Sequence, residues 1–354
     1  MTLNALMDEL AQQRGSDLHL VVGEPPVFRV VGSLIRRPDG PILDNEEMES
    51  LLLPHMTDAQ RLSLQQGNDV EKSLHLEKNR FKMTVFHERG NLAASIRVIP
   101  THVPTMAELG FAREDHATLY KLTELKRGLV IVSGPTGSGK STTVAGMIEE
   151  INQQRAERIF TVEDPIEYVF ENQKSVITQR TVGEDVPTFA QGLRSAFRSD
   201  PDVLLIGETR DLETIALSLS LAETGHLVFS TLHVTTASGA IQRIIDAFPE
   251  QQQPVIRQMV ATNLQAVVAQ RLIPRASGAG RVAAHEILLS TPRVRQMIAD
   301  GHSDLTVAIE AGRDIGMHTM DDDLIRLVEN GTITPDAAWF HLQDKERLPQ
   351  KRDL

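Results

Sequence analysis

The stretch of sequence that decides the fold is Gly134-Pro135-Thr136-Gly137-Ser138-Gly139-Lys140-Ser141-Thr142. It fits the pattern G-x-x-x-x-G-K-[ST], in which the glycines let the backbone approach a phosphate group closely. An apolar run, Leu129–Val132, precedes it, and a helical pattern from Lys140 to about Ile151 follows it. Loop amides and a helix N-terminus would face the anion, with Lys140 on the β- and γ-phosphates and the Ser141 hydroxyl on Mg²⁺. We therefore predict an ATP site here rather than a chance glycine-rich turn.

The sequence around this loop alternates short apolar runs with helical patterns, which is typical of a parallel sheet covered on both faces. A longer stretch, Val255–Leu272, has apolar residues at helical spacing and predicts a helix. We expect an α/β domain whose strands include Leu129–Val132, Arg158–Val162, Val203–Ile206 and Leu227–Leu232.

Acidic residues follow two of the predicted strands. Glu208 comes after Val203–Ile206, and Glu163 comes after Arg158–Val162. Because the carboxyl ends of parallel strands meet at the ligand crevice, we expect both carboxylates near the phosphates. Glu208 is the predicted general base and a ligand of Mg²⁺ through water, and Glu163 is placed to reach the metal or the attacking water. The alternatives are a surface glutamate and, for Glu163-Asp164, a capping or turn role.

Two histidines bracket the strand predicted at Leu227–Leu232. His233 would lie at its carboxyl end, where a hydrogen bond to the γ-phosphate is feasible. His226 would lie at the opposite end of the strand. The alternative for each is a histidine that satisfies a loop.

The N-terminal part of the chain has a different pattern of predicted helices and strands, which indicates an α+β domain. Residues 3–13 show the spacing of an amphipathic helix, and a helical pattern also covers Asn45–Gln66. A turn is predicted at Pro38-Asp39-Gly40. The predicted strands are Leu18–Val22, Val27–Val31, Arg80–Phe86 and Leu92–Val98.

The predicted domain boundaries follow from these changes in the pattern of predicted secondary structure. Two prolines near residue 100 indicate a stiff linker over 100–112. The linker separates an N-terminal domain, 1–99, from an ATPase core, 113–290, and a C-terminal helical region spans 291–354.

The composition excludes several classes of protein. The net charge of -12 and the aromatic content of 4% argue against a nucleic-acid motor, because strand binding requires a basic groove with stacking platforms. The absence of cysteine removes disulfides and Cys-ligated metal sites. Neither a secretory signal nor a membrane span is recognisable, so we expect a cytoplasmic protein whose membrane link runs through a partner.

These segments together resemble the type II/IV secretion ATPase superfamily of RecA-like P-loop enzymes, and within it the type IV pilus retraction ATPases of the PilT type. The resemblance covers nearly the whole chain, and Gly15–Leu20 resembles the opening of the family's PAS-like N-terminal domain. The matching boxes are Walker A at Gly134–Thr142, the aspartate box at Thr161–Glu167, Walker B at Asp200–Asp211 and the histidine box at Ala222–His233.

The resemblance implies a role for each site residue. Glu208 would be the catalytic glutamate, Glu163 would assist it, and His226 and His233 would act as residues of the histidine box. Arg80 and Arg97 match the arginines that the family's N-terminal domain supplies to the nucleotide, where they would act as arginine fingers. From the residues alone, both would be solvent-facing strand arginines.

The resemblance also implies a homohexamer with ATP between the two domains of each subunit. It would drive an inner-membrane platform protein and lie peripherally at the inner membrane. A paralogous pilus ATPase is a further partner that the resemblance implies. The missing cysteines and the start at the PAS-like domain favour retraction over pilus assembly or secretion. Thr291–Ile298 keeps Arg295 of a motif typical of retraction ATPases but not its other residues, so an accessory retraction paralogue stays open. A non-enzymatic nucleotide-gated ring is the remaining alternative.

Overall fold

The computed structural model of the chain describes residues 1–30, 32–38, 40–76, 79–100, 102–278 and 280–348. Val31, Asp39, Thr101 and residues 349–354, which belong to a predicted strand, turn, linker and C-terminal region, lie outside the described residues. The chain divides into two compact units, Met1–His102 and Val103–Leu354. The functional domain boundaries given above stay a prediction.

The first unit contains a six-stranded antiparallel sheet in the order β3-β2-β1-β6-β5-β4. Its helices are α1 Leu3–Gln12, α2 Asn45–Leu52 and α3 Asp58–Gln65. Its strands are β1 Asp17–Leu20, β2 Val27–Val30, β3 Ser33–Arg36, β4 Val70–Leu76, β5 Asn79–Glu88 and β6 Asn91–Ile99.

Helix α1 shows why the helical spacing predicted the first element correctly. Leu3, Leu6, Met7 and Leu10 form its buried face, and Thr2 caps it by accepting a hydrogen bond from the amide of Ala5. This face packs in one core with strand residues that include Leu18, Phe28, Phe81 and Ile96.

The helix predicted over Asn45–Gln66 is two helices in the structure. Pro54 lies in a 3₁₀ turn, Leu53–His55, directly after α2, and proline disfavours a continuing helix. Thr57 then caps α3 with a capping box. The Thr57 hydroxyl accepts a hydrogen bond from the Gln60 backbone amide, and the Gln60 side-chain oxygen accepts one from the Thr57 backbone amide. The sequence analysis did not predict β3 or β4.

The second unit contains a seven-stranded sheet in the order β13-β12-β7-β11-β10-β8-β9. All neighbouring pairs are parallel except β12–β13. The strands are β7 Gly128–Ser133, β8 Arg158–Glu163, β9 Val176–Thr181, β10 Val203–Ile206, β11 Leu227–Leu232, β12 Leu264–Pro274 and β13 Arg281–Leu289. The helices are α4 Arg113–Thr123, α5 Lys140–Gln154, α6 Phe189–Phe197, α7 Leu212–Glu223, α8 Ala237–Asp246 and α9 Gln253–Asn263.

Helices cover both faces of this sheet, so its strands are buried on both sides as the apolar runs predicted. In β7, Leu129 and Ile131 pack in a core with residues of α6, α7 and α8. Val130 and Val132 point the other way and pack with α4 and α5. Each such side chain contributes roughly 1.5–3 kcal/mol by leaving water. The strands around the phosphate loop are thereby fixed in position.

The single helix suggested by Val255–Leu272 is wrong in its second half. Helix α9 ends at Asn263, and β12 begins at Leu264. The run from Leu264 to Ala269 is nearly all apolar because it is buried between β7 and β13. Apolar spacing alone does not separate a buried strand from a buried helix.

The C-terminal region is helical, as predicted, with α10 Pro292–Ala299, α11 Thr306–Glu310, α12 Met320–Glu329 and α13 Pro335–Trp339. Leu324, Leu327 and Val328 of α12 pack against Ile273 and Val282 at the far ends of β12 and β13. Among the described residues, no helix has both the length and the apolar character of a membrane span.

Candidate active site

The glycine-rich loop joins β7 to α5 and is shaped by its glycines. Gly137 and Gly139 have φ angles of 75° and 89°, in the left-handed region that glycine adopts freely. Within the described residues, no atom would lie within 4 Å of a Cβ built on Gly137, whereas a Cβ on Gly134 would lie 2.3 Å from the carbonyl oxygen of Gln270. The loop therefore packs on β12 on one side and offers a cradle for an anion at Gly137.

A buried glutamine holds the loop in this shape. Gln270 of β12 is 3% exposed, and its Nε2 donates to the carbonyl of Ser138 at 2.7 Å. Its Oε1 accepts a hydrogen bond from the Thr143 hydroxyl at 2.8 Å. The sequence analysis missed this residue, although the available signal was a glutamine at the end of the apolar run of β12.

Lys140 lies inside the loop that it follows. Its Nζ donates to the carbonyls of Gly134 and Pro135 at 2.9 and 3.1 Å. Burial lowers the pKa of Lys140, and the negative charges of Glu208 and Glu167 oppose that shift. The ammonium group is thus within electrostatic reach of the predicted catalytic carboxylate.

Parallel register brings the predicted residues to one edge of the sheet. Leu232 of β11 pairs with Ser133 of β7, and Ile206 of β10 pairs with Ser230 of β11 and Val162 of β8. Each of these strands therefore ends beside the phosphate loop. Glu163 and Glu208 lie at this edge, as does His233.

Glu208 is a partly buried carboxylate that contacts a guanidinium and an imidazole ring. Arg210 Nε lies 2.5 Å and His233 Nε2 lies 3.2 Å from Glu208 Oε1. Burial raises the pKa of Glu208, but hydrogen bonds and charge from Arg210 and His233 outweigh burial and leave it below its ordinary value. Glu208 is therefore ionised at neutral pH. The sequence analysis did not predict the contact between Glu208 and His233.

Glu163 is the last residue of β8 and is buried. Its Oε1 accepts hydrogen bonds from the Thr161 hydroxyl at 2.7 Å and from Gln179 Nε2 at 3.3 Å. Burial raises the pKa of Glu163 to about 7, although these hydrogen bonds lower it. The two glutamates at this edge thus have opposite pKa shifts, which is the pattern expected when one carboxylate stays charged and the other exchanges a proton.

Tyr168 connects the phosphate-loop helix to the environment of Glu163. Its hydroxyl lies 3.0 Å from the Thr142 hydroxyl on α5, and its carbonyl accepts from Gln179 Nε2 at 2.8 Å. Gln179 also donates to Glu163, so one amide group serves both residues. The sequence analysis had no spacing signal for Tyr168 or Gln179, because they come from a loop and from an unpredicted strand, β9.

His226 lies at the amino end of β11, away from the edge that carries the phosphate loop. Its Nδ1 is 2.9 Å from the Leu221 carbonyl and 3.2 Å from the Thr224 hydroxyl. Both contacts stabilise the turn between α7 and β11. Placement at this end agrees with the sequence, and any role of His226 in catalysis stays a prediction.

The two predicted arginines belong to the first unit. Arg80 is half-buried on β5, where it pairs with Ile99 of β6. Arg97 lies on β6, and its Nε forms a 2.7 Å ion pair with Asp17. Their roles at the nucleotide stay a prediction.

The site combines a phosphate loop and its lysine with an ionised glutamate at the edge of a mostly parallel sheet. This combination defines a P-loop ATPase with a RecA-like core. The family model described as "Type II/IV secretion system protein" matches residues 1–336. The chain belongs to this family.

Comparison with individual proteins agrees with this assignment. The chain is 41% identical to the type IV pilus retraction ATPase PilT of Pseudomonas aeruginosa over 352 residues, which cover 99% of each chain. It is 36% identical to the type IV pilus ATPase PilU of the same organism over 350 residues, 98% of this chain and 90% of PilU. A crystal structure of the pilus retraction motor PilT with bound ADP superposes with a TM-score of 0.88 at 40% identity, covering 98% of this chain and 99% of that one.

Proposed function

We propose that this chain is the subunit of a motor that hydrolyses ATP to power type IV pilus retraction and twitching motility. The observation that carries the proposal is the intact arrangement of Lys140, Glu208 and Glu163 in a chain that resembles PilT from end to end.

The proposed chemistry assigns one task to each group at the sheet edge. The loop amides of residues 134–142 and Lys140 bind the phosphates of ATP. The partial positive charge at the N-terminus of α5 favours this binding. Glu208, kept ionised by Arg210 and His233, orients and polarises the attacking water. Glu163 assists from the neighbouring strand, and His233 senses the γ-phosphate through its contact with Glu208.

The residues also fit a magnesium ion. Ser141 directly follows Lys140 at the start of α5, and Glu208 offers a carboxylate at the same edge. The Ser141 hydroxyl, and Glu208 through water, would hold Mg²⁺, which would neutralise charge on the phosphates.

The proposed assembly extends beyond one chain. A homohexamer would close around ATP, with Arg80 and Arg97 stabilising charge on the transferred phosphoryl group, and would act on an inner-membrane platform protein from the cytoplasmic side. Domain closure coupled to hydrolysis would supply the movement.

The catalytic assignment is tested with Glu208→Gln, with Lys140→Ala as a second variant. We expect Glu208→Gln to bind ATP but to release phosphate at least about a hundredfold more slowly, and Lys140→Ala to lose binding. Glu329→Gln, an exposed glutamate on α12, is the matched control. The same assay with chelator, followed by added Mg²⁺, tests the metal. Equal phosphate release by wild type and Glu208→Gln would refute the assignment.

The biological role is tested by gene deletion. A main retraction motor predicts excess surface pili without twitching, whereas loss of pili would indicate an assembly ATPase. The resemblance to PilU and the altered stretch Thr291–Ile298 favour an accessory retraction ATPase as second candidate. In that case deletion would weaken retraction only under load, or only when a second retraction ATPase is also removed.

A further inference from the structure

Four titratable side chains that the proposed mechanism does not use meet inside the second unit. They are Asp115 on α4, His285 on β13, Asp323 on α12, and His318 in the segment that leads into α12. Asp115, His285 and Asp323 are at most 5% exposed, and His318 is half-buried. Burying such groups costs several kcal/mol unless each finds a partner.

These groups approach each other without forming hydrogen bonds between their side chains. His318 Nδ1 lies 3.6 Å from Asp115 Oδ1, and His285 Nδ1 lies 3.5 Å from Asp323 Oδ2. Within the described part of the chain, no hydrogen-bond partner is found for either ring nitrogen of His285, for His318 Nε2 or for Asp115 Oδ2. A buried histidine with both nitrogens unpaired and one aimed at a carboxylate requires an explanation.

The spacing agrees with ligands that share a metal ion. Zinc binds imidazole nitrogen and carboxylate oxygen at about 2.0–2.2 Å in a tetrahedron, which places neighbouring ligand atoms about 3.4 Å apart. The two nitrogen–oxygen distances of 3.5 and 3.6 Å are close to that edge. Candidate ligand atoms of Asp115, His318 and Asp323 all lie within 4.8 Å of one another, whereas His285 reaches this group only through its 3.5 Å approach to Asp323.

The surroundings are built like the outer shell of a metal site. The backbone amide of His285 donates to Asp323 Oδ2 at 2.8 Å, which fixes the carboxylate. Phe111 stacks on the His285 ring with centroids 4.1 Å apart and shields it from water. Both contacts orient groups that have no other evident task.

Arg326 is the competing cation in this cluster. It pairs with Asp323 Oδ1 and lies 3.7 Å from Asp115 Oδ2. One guanidinium thus faces two buried carboxylates. Its side chain is 37% exposed, so it has room to turn toward solvent and leave the carboxylates to a divalent ion.

We propose that Asp115, His318 and Asp323 hold a structural zinc ion, with His285 drawn in beside Asp323 as the fourth ligand, and that this ion fastens α12 to β13 and α4. Ligands from both ends of the second unit would tie the C-terminal helices to the ATPase core. Zinc would then raise the stability of the folded chain without entering the hydrolysis reaction.

The test uses the full chain, stripped with chelator and titrated with ZnCl₂ by calorimetry, with metal content measured by mass spectrometry. We expect one zinc per chain and a higher Tm with zinc than without it. His318→Gln should weaken zinc binding more than about tenfold and abolish the rise in Tm. Because His318 is only half-buried, this variant is expected to fold, which circular dichroism checks.

Two controls separate this site from others. His302→Gln removes an exposed histidine, and His233→Gln removes the histidine beside Glu208; both should bind zinc as the wild type does. Replacement of zinc by cobalt should give the absorption bands of tetrahedral coordination. A folded wild type that binds no zinc, or a His318→Gln variant that binds it unchanged, would overturn the proposal and leave the cluster as an ion network centred on Arg326.

Discussion

The side-chain amide of Gln270 on β12 donates a 2.7 Å hydrogen bond to the carbonyl of Ser138 in the phosphate loop. The same amide accepts from Thr143 at 2.8 Å, so both of its polar ends serve the loop and the helix that follows. Because Gln270 is buried, neither bond is exchanged easily for water. The phosphate loop therefore depends on a neighbouring strand for its shape.

We predict that Gln270→Ala weakens nucleotide binding. The change leaves the Ser138 carbonyl and the Thr143 hydroxyl without their partner and costs about 1–3 kcal/mol. A loss of this size in nucleotide binding corresponds to roughly a 5- to 150-fold rise in the Kd for ADP. Calorimetry with Mg-ADP measures it. Gln258→Ala, an exposed glutamine on α9, is the control. Unchanged affinity in a folded Gln270→Ala protein would contradict the positioning role.

Arg210 helps to keep Glu208 ionised, so we predict that replacing Arg210 changes the pH dependence of ATP hydrolysis. Burial raises the pKa of Glu208, but Arg210 and His233 together bring it below its ordinary value. Arg210→Gln removes a hydrogen bond and a positive charge that stabilise the ionised carboxylate, so the pKa of Glu208 should rise and the acid limb of the kcat profile should move to higher pH. Arg243→Gln, an exposed arginine on α8, should leave the profile unchanged. A downward or absent displacement in Arg210→Gln would show that Glu208 is not the group titrated.

The raised pKa of Glu163 predicts that the stability of the folded chain depends on pH. Burial raises its pKa from 4.5 to about 7, so the folded chain holds a proton that the unfolded chain has released. The stabilisation is complete below about pH 4.5 and is lost as the pH rises through about 7, and its size is about 3 kcal/mol. Glu163→Gln is neutral at every pH and should lose this part of the slope.

Denaturant unfolding across this pH range measures the difference. The useful quantity is the free energy of unfolding of Glu163→Gln minus that of the wild type, because other titrating groups cancel. It should become more positive as the pH rises. Glu329→Gln should give a difference that is flat with pH, and a flat difference for Glu163→Gln would mean that its pKa is not raised in the folded chain.

The strands and the phosphate loop were predictable because their signals are local. Leu129–Val132 is apolar throughout, and Leu227–Leu232 is apolar except for Ser230 and Thr231, since both faces of the sheet are covered. The glycines of the loop reflect backbone angles that other residues avoid. Glu208 and His233 followed from a rule of topology, namely that parallel strands end at one edge.

What the sequence did not predict depends on partners that are distant along the chain. Leu264–Ala269 became a strand because β7 and β13 flank it, and its spacing alone suited a helix equally well. Gln270 acts on a residue 132 positions away. Strand β3 is exposed along its length at the edge of its sheet, and its adjacent Leu34 and Ile35 give no alternation of apolar and polar residues by which to recognise it.

Gly134 tests what close packing adds to backbone geometry in requiring glycine in the loop, because its φ of 150° already disfavours a side chain. A Cβ at this position would lie 2.3 Å from the Gln270 carbonyl oxygen and 2.6 Å from Ser138 Oγ, and a backbone carbonyl in a buried strand has little room to yield. Gly134→Ala should therefore push the loop off β12, lower the Tm and weaken ADP binding. Gly183→Ala is the control for a positive φ without close packing, because Gly183 has a φ of 83° and no described atom within 4 Å of its Cβ position. That variant should lose only about 1 kcal/mol of stability and keep its affinity for ADP. If both variants bind ADP equally well, steric exclusion by Gln270 is not what requires glycine at position 134.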